Sequence, residues 1–433
     1  MPDKPRVLIL ANDCNPEWPS LPIVGFKYAR ALADLCEVDI VTHVRNRPNI
    51  EKAVAAGEGG AGRYHYLDTE WIAAPLYKLA TWMRGGSEVA WSTNQLMAYL
   101  PYLAFEHAAL KQFRAGLRRG DFDLVHRITP MSPTMPSYVA GRLPVPFVIG
   151  PLNGNLDWPE VFAEERRREK EGLRKLRGLY RYLPFAGSTQ RRADRLLAAF
   201  SHTKDDLDRA DPARIVSFPE IGYDETIFHA EGRSPAGAGA GPMTFLYAGR
   251  LVPYKLPEVA VRAFAGSEIL SAHRLVVVGE GPEAPRLEAL IKEHGLSDQV
   301  SLVGRETQAQ VAGRMRAADV FVFPSIRELG AGVVIEAMAC GTVAMVVGYG
   351  APGDLAAGGR GIVVPLADRE GLVTAYRTAM EQAVTARTDL AAIAAKGRAH
   401  AEAAFRWADK AALTRGIYDD VLSGRPTQLD VYH

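Results

Sequence analysis

Cysteine is scarce in this chain. The 433 residues contain three, Cys14, Cys36 and Cys340, far apart and odd in number. That excludes a disulfide framework and a cysteine-based zinc cluster, and it fits a reducing compartment. Net charge is missing too. Fifty-one basic residues against 50 acidic ones leave +1, so no nucleic-acid partner is expected. No run approaches the ~18–20 apolar residues of a membrane span. The apolar run in the opening MPDKPRVLILAND is too short for a signal-peptide core and leads straight into a strand. Neither a G-x-S-x-G elbow nor a P-loop is present, and no His/Cys group has metal-ligand spacing. The expectation is a cytoplasmic protein that needs no metal and no bound cofactor.

What is present is an α/β pattern, written twice. Arg6–Leu10 and Val38–Thr42 read as buried parallel strands around a proline-rich loop, Asn12 to Pro22. Gly25 stands before an expected helix, 26–35. An aromatic-rich region follows, with a long helix expected over 94–117. Phe122 to His126 reads as a strand that places His126 at its ligand-facing end, with Arg127 behind it. Asp121 and Asp123 stand at the start of that strand rather than after it, so they do not read as a metal pair. Another strand, 146–150, runs into the loop Gly150-Pro-Leu-Asn-Gly-Asn155. Residues 160–182 read as a helix dense in Arg and Lys. Its basic excess and the aromatics upstream point to an anionic membrane surface, or to a solvated salt-bridged face and a domain core.

Ala230 to Pro242, AEGRSPAGAGAGP, has the composition of a linker. It divides the chain into two Rossmann-like halves, 1–229 and 242–406, with a tail over about 407–433. In the second half the strands 244–248, 274–278, 300–303, 319–323, 343–347 and 361–364 alternate with helices.

The chemistry concentrates in that half. Arg250 and Lys255 share one strand-to-helix loop, a place suited to a diphosphate. Glu328 and Glu336, with seven residues between them, flank the turn Gly330-Ala331-Gly332 after the strand 319–323. Cations suit phosphates, and carboxylates accept from sugar hydroxyls. Together they point to a nucleotide-sugar. A competing motif, Gly279-Glu-Gly281-Pro-Glu-Ala284, fits the G-x-G-x-x-A dinucleotide fingerprint and keeps an NAD(P)-dependent oxidoreductase open.

These residues resemble the donor domain of the retaining glycosyltransferases of family four. The resemblance runs through GRLVPYK at 249–255, VVVGEGPE at 276–283, VSLVG at 300–304, AADVFVFPSIRE at 317–328, the E-x7-E pair with EAMACG at 336–341, and GIVVPLAD at 361–368. Looser likenesses are FDLVH at 122–126, GPLNG at 150–154 and FPEIGYD at 218–224. FRW at 405–407 and IYDDVL at 417–422 are similar to the family's tail. The resemblance implies the GT-B fold: two Rossmann-like α/β/α domains facing across a cleft, the tail helix crossing back to the first. It implies a retaining, metal-independent transfer of a sugar from a nucleotide-sugar donor to a carbohydrate or lipid-linked acceptor, in surface polysaccharide or glycolipid synthesis. Arg250 and Lys255 would hold and stabilise the leaving diphosphate. Glu336 would take the ribose, Glu328 the donor sugar, and backbone at Gly304-Arg305 the base. The turn at Gly330, Ala331 and Gly332 would complete the cradle, with Gly25 close to phosphate or acceptor. His126 is the candidate catalytic contact of the first domain. The chain departs from the family pattern at Leu256 and Leu329-Gly330, where glycine and Gly-Phe are common, and at Ile128, where some members carry a histidine. A non-catalytic nucleotide-sugar-binding protein is the alternative from another class.

Overall fold

The computed structural model of the chain describes residues 4–75, 91–162 and 181–432. They form two compact units. One contains 4–75, 91–155, 181–222 and 407–431, and the other 156–162, 223–406 and Tyr432.

The first unit is built on a seven-stranded parallel sheet. Its strands are β1 (Arg6–Ala11), β2 (Glu37–His43), β3 (Arg63–Leu67), β4 (Leu124–Thr129), β5 (Phe147–Leu152), β6 (Arg195–Ala198) and β7 (Ile215–Ser217). Their order is β3-β2-β1-β4-β5-β6-β7. β1, β4 and β5 are buried almost throughout, as expected of strands covered by helices on both faces. Edge strand β3 escapes the hydrophobic-run reading because it alternates. Arg63 and His65 pair with Asp39 on β2, while Tyr64 packs against Phe26. The first helix spans Leu21–Leu35 and opens with Pro22. It thus takes in the end of the expected loop, and Gly25 lies inside it rather than before it. A Cβ on Gly25 would stand 2.3 Å from the Asp13 carbonyl oxygen, so the helix approaches the β1 loop this closely only with glycine there.

The tail belongs to this unit. Helix Trp407–Leu422 lays Ala411, Ile417 and Tyr418 into the first core. Buried polar bonds fix its register. The Tyr28 hydroxyl meets Thr414 Oγ1 at 2.6 Å, and the wholly buried Lys410 ammonium donates to the Glu220 carbonyl. Lys410 also lies 4.1 Å from the Tyr28 ring centre. Burial pushes its pKa strongly down, and the Glu220 charge opposes that shift.

The second unit carries a six-stranded parallel sheet. Its strands are β8 (Thr244–Ala248), β9 (Arg274–Val278), β10 (Val300–Gly304), β11 (Val320–Phe323), β12 (Val343–Val347) and β13 (Ile362–Val364). The order is β10-β9-β8-β11-β12-β13. Chain order therefore reverses between β8 and β11, and ligands bind outside the carboxyl ends of the strands at such a reversal.

The main segment of this unit begins at Tyr223, ahead of the linker-like stretch. Residues 230–242 are pinned to it. Arg233 donates to the carbonyls of Met315, Arg316 and Ala318 at 2.7–2.8 Å, and Gly237 N–H to Asp319 at 3.0 Å. Gly237 packs closely against Arg387, while Gly232 and Gly241 face open space, so the stretch is an exposed surface segment held at a few points. Of the expected basic helix 160–182, the turn Glu160–Phe162 is described. Residues 163–180 lie outside the described residues. Among the described residues no helix is long and apolar enough to cross a membrane.

Candidate functional site

Two loops leave the sheet of the second unit on either side of its reversal point. The first follows β8. Its backbone is clamped against the loop after β9: Gly249 N–H donates to Val278 O at 3.0 Å, Leu251 N–H to Glu280 O at 2.9 Å. Gly279 and Gly281 make this clamp sterically feasible. At φ +141° and +154°, a Cβ on them would stand 1.9 Å from Gly249 O and 2.3 Å from Leu251 O. The glycines of the dinucleotide-like motif are accounted for by packing against this loop.

The clamped loop presents Arg250 outward, its Nη2 donating to the Tyr254 hydroxyl at 3.0 Å. The buried Tyr247 hydroxyl donates to the Arg250 carbonyl at 3.2 Å. Burial first, then the Glu328 charge, holds that phenol well above its usual pKa, so it remains a donor. A 3-10 turn, Pro253–Lys255, then turns Lys255 inward. Leu256 follows in left-handed backbone, φ +44°. Glycine adopts such a backbone without strain. Here a leucine bears a cost of about 1–2 kcal/mol, offset by a side chain that is wholly buried in the core.

The second loop follows β11. Lys255 Nζ lies 2.7 Å from Glu328 Oε1, with about one eighth of each side chain exposed. Ser325 Oγ, on the same loop, donates to that oxygen at 2.8 Å. Lys255 Nζ also lies 5.0 Å from the Phe323 ring centre. Ala331, at φ +47°, starts the helix Gly332–Ala339, and Glu336 stands in its second turn.

Arg250, Lys255, Arg305 and Glu336 line one cavity of about 460 Å³, with Gly249, Gly279 and the apolar Phe228, Val311 and Val333 among its other walls. Three cations and three carboxylates, Glu280 and Glu306 besides Glu336, converge on a space with apolar sides; Glu280 is paired with Arg305 and Glu306 with Arg314, and the set can meet a diphosphate, sugar hydroxyls and a flat base. Gly304, at φ +73°, closes β10 and accepts from Gly279 N–H at 2.7 Å, while Arg305 carries an exposed ion pair to Glu280 at 3.2 Å. Phe228, Gln308 and Val311 also face the cavity. Sequence reading gave them no role, because they carry no motif chemistry. Among the described residues no group of three His, Cys, Asp or Glu side chains is placed to hold a metal ion.

Of the other expected site residues, Glu328, Gly304 and the turn Gly330, Ala331 and Gly332 are not among the residues lining this cavity, and Gly25 and His126 belong to the first unit. Gly25 serves the helix–loop approach described above. His126 requires correction. β4 runs on to Thr129, so the histidine sits mid-strand and not at the strand's end, and it is 0% exposed. Its Nε2 lies 2.7 Å from Gly150 O, a pure acceptor, so Nε2 carries the proton and donates. Nδ1 then accepts from the Tyr418 hydroxyl at 2.6 Å. Burial depresses the imidazole pKa to about 3, which keeps it neutral. Both ring nitrogens are spent on holding β4, β5 and the tail helix together. Arg127 behind it is equally buried, donating to Met135 O at 2.9 Å.

The family model for glycosyl transferases group 1 matches residues 231–397. A D-inositol 3-phosphate glycosyltransferase of Streptomyces scabiei is 31% identical over 345 residues, 73% of this chain and 71% of that protein. Its counterpart in Stackebrandtia nassauensis is 34% identical over 236 residues, 51% of this chain and 52% of that protein. The chain spans only about half the length of such relatives, 52% for this one and 41% for that of Mycobacteroides abscessus. Among solved structures, sucrose-phosphate synthase from Thermosynechococcus elongatus superposes with a TM-score of 0.62 at 17% identity, over 97% of this chain and 100% of that one. HepE from Anabaena, solved with UDP and glucose, gives 0.58 at 14%, over 96% and 100%. At these identities the likeness shows the fold, which is GT-B.

Proposed function

Because the chain belongs to the glycosyl transferases group 1 family, we propose that it transfers a sugar from a nucleoside-diphosphate-sugar to a carbohydrate or lipid-linked acceptor. The observation that carries this reading is the convergence of Arg250, Lys255, Arg305 and Glu336 on one cavity at the reversal point of the second sheet. In this reading Arg250 and Lys255 hold the diphosphate and stabilise the charge that grows on it as the glycosidic bond breaks. Glu336 accepts from the ribose hydroxyls and Glu328 from the donor sugar. Backbone at Gly304 and Arg305 meets the base, and the turn at Gly330, Ala331 and Gly332 completes the cradle. Transfer retains anomeric configuration by front-face attack, the leaving phosphate accepting the acceptor's proton, with no metal.

The relatives' names add a phosphorylated polyol to the acceptors worth testing. Surface polysaccharide or glycolipid synthesis is the setting we favour. The basic stretch 160–182 and the exposed Trp71 (73%) support a peripheral contact with an anionic membrane.

Donor turnover tests the reading. Nucleoside diphosphate release from UDP-, GDP- or ADP-sugars, undiminished by excess EDTA, is expected. Tight binding with no turnover on any acceptor class would favour a non-catalytic binder instead.

A further inference from the structure

Lys255 and Glu328 face each other across the point where strand order reverses, one on the loop after β8 and the other on the loop after β11. Their ion pair is 2.7 Å long, with 12% and 14% of the side chains exposed. It is too sheltered to be the solvated kind that contributes little, yet it is not sealed from the site. Lys255 lines the cavity, and its partner Glu328 is not itself among the lining residues. Glu328 is held on its own loop by Ser325, a residue that is 0% exposed. The ammonium is steadied by the faces of Phe323 and Tyr254, 5.0 and 5.8 Å away.

We propose that Glu328 is the internal counter-ion of Lys255, displaced by the donor's diphosphate, and that this exchange makes the site prefer intact donor to spent nucleoside diphosphate. The inference rests on reading the cavity as the donor site. A diphosphate that reaches Lys255 brings a second anion to an ammonium already neutralised. Two anions on one cation repel in a partly dehydrated site. When Lys255 turns to the phosphate, the Glu328 carboxylate is left without its cation, which is costly in a sheltered position. Sugar hydroxyls on an intact donor donate to that carboxylate and offset the loss. A nucleoside diphosphate has no sugar to do so. The pair therefore penalises the product and not the substrate, which favours product release. Glu336, on the helix, takes no part in the exchange, so its loss weakens both ligands alike.

The test is calorimetric titration of the full chain with UDP, GDP and ADP, and with UDP-glucose, GDP-mannose and ADP-glucose. Wild type, Glu328→Gln, Lys255→Met and the double variant are compared, each first checked for a cooperative melt. For the nucleotide that binds wild type, Glu328→Gln is expected to tighten the free diphosphate about tenfold and to weaken the nucleotide-sugar. In the Lys255→Met background the same substitution changes diphosphate affinity less than about twofold. If Glu328→Gln does not fold, Glu328→Asp, one methylene short of contact, gives a smaller shift of the same sign. A diphosphate affinity that falls or stays level overturns the exchange, as does a tightening that persists without Lys255. Binding of none of the six ligands by wild type overturns the donor reading and the exchange with it.

Discussion

Replacing Tyr418 by Phe tests whether His126 is a structural post or a functional group. Both side chains are fully buried, and their rings pack edge to face with centroids 5.6 Å apart. The substitution keeps that packing and removes one hydroxyl. His126 Nε2 remains committed to Gly150 O, so Nδ1 loses the donor it holds at 2.6 Å. An unsatisfied buried acceptor costs about 1–3 kcal/mol, the loss expected in urea unfolding at neutral pH. A pH arm sharpens the test. The folded pKa is depressed to about 3 against 6.5 for a free histidine, so the unfolded chain takes up a proton that the folded one refuses. The associated stability is complete above pH 6.5 and is lost as pH falls towards 3. By pH 5 the loss is about 2 kcal/mol. His126→Asn cannot titrate, so its stability falls by about 2 kcal/mol less than wild type between pH 7.5 and 5. His400, lowered to about 4 by burial and then Arg360, contributes the same sign in both proteins and cancels. Wild-type stability in Tyr418→Phe, or a more than tenfold loss of turnover in the folded variant, would refute the structural assignment and return His126 to a functional role.

Three further outcomes follow from the same geometry. Glu336→Ala keeps the fold but weakens nucleotide-sugar binding by ~1.5–3 kcal/mol, or ten- to a hundredfold, in calorimetric titration; unchanged affinity removes Glu336 from the site. Gly279→Ala drives a methyl to within 1.9 Å of Gly249 O at φ +141°, so a loss of about 2–5 kcal/mol in chemical unfolding is expected, and a wild-type midpoint would mean that the loop clamp yields. Flotation with anionic liposomes at low salt should carry the protein and be reversed by added salt; no flotation ends the membrane proposal.

Much of the second unit was legible because its strands are short apolar runs between turn signals. β8, β9 and β12 begin and end where the pattern places them. That Arg250, Lys255, Arg305 and Glu336 would come together was legible because charged residues placed just after parallel strands gather at one end of the sheet. The pairing of Lys255 with Glu328 was not, since the two stand 73 positions apart on loops that the sheet order brings together. His126 misled for a physical reason. β4 reads Leu-Val-His-Arg-Ile-Thr, all buried, and its polar residues made the apolar run appear to end at Val125. What satisfies the histidine is Tyr418, 292 residues away on the tail helix, and no local pattern announces such a partner. Arg63–Leu67 escaped because an edge strand is half polar.

The central claim is that the cavity of the second unit holds a nucleoside diphosphate-sugar. Thermal melting of the full chain with UDP, GDP and ADP, their sugars, and NAD(P) tests it most directly. A ligand at a hundred times its dissociation constant adds about 2.7 kcal/mol to the folded state. One nucleotide and its sugar are predicted to raise the melting temperature, with the rise abolished in Arg250→Ala together with Lys255→Ala. Stabilisation by NAD(P) and by none of the nucleoside diphosphates would contradict the account.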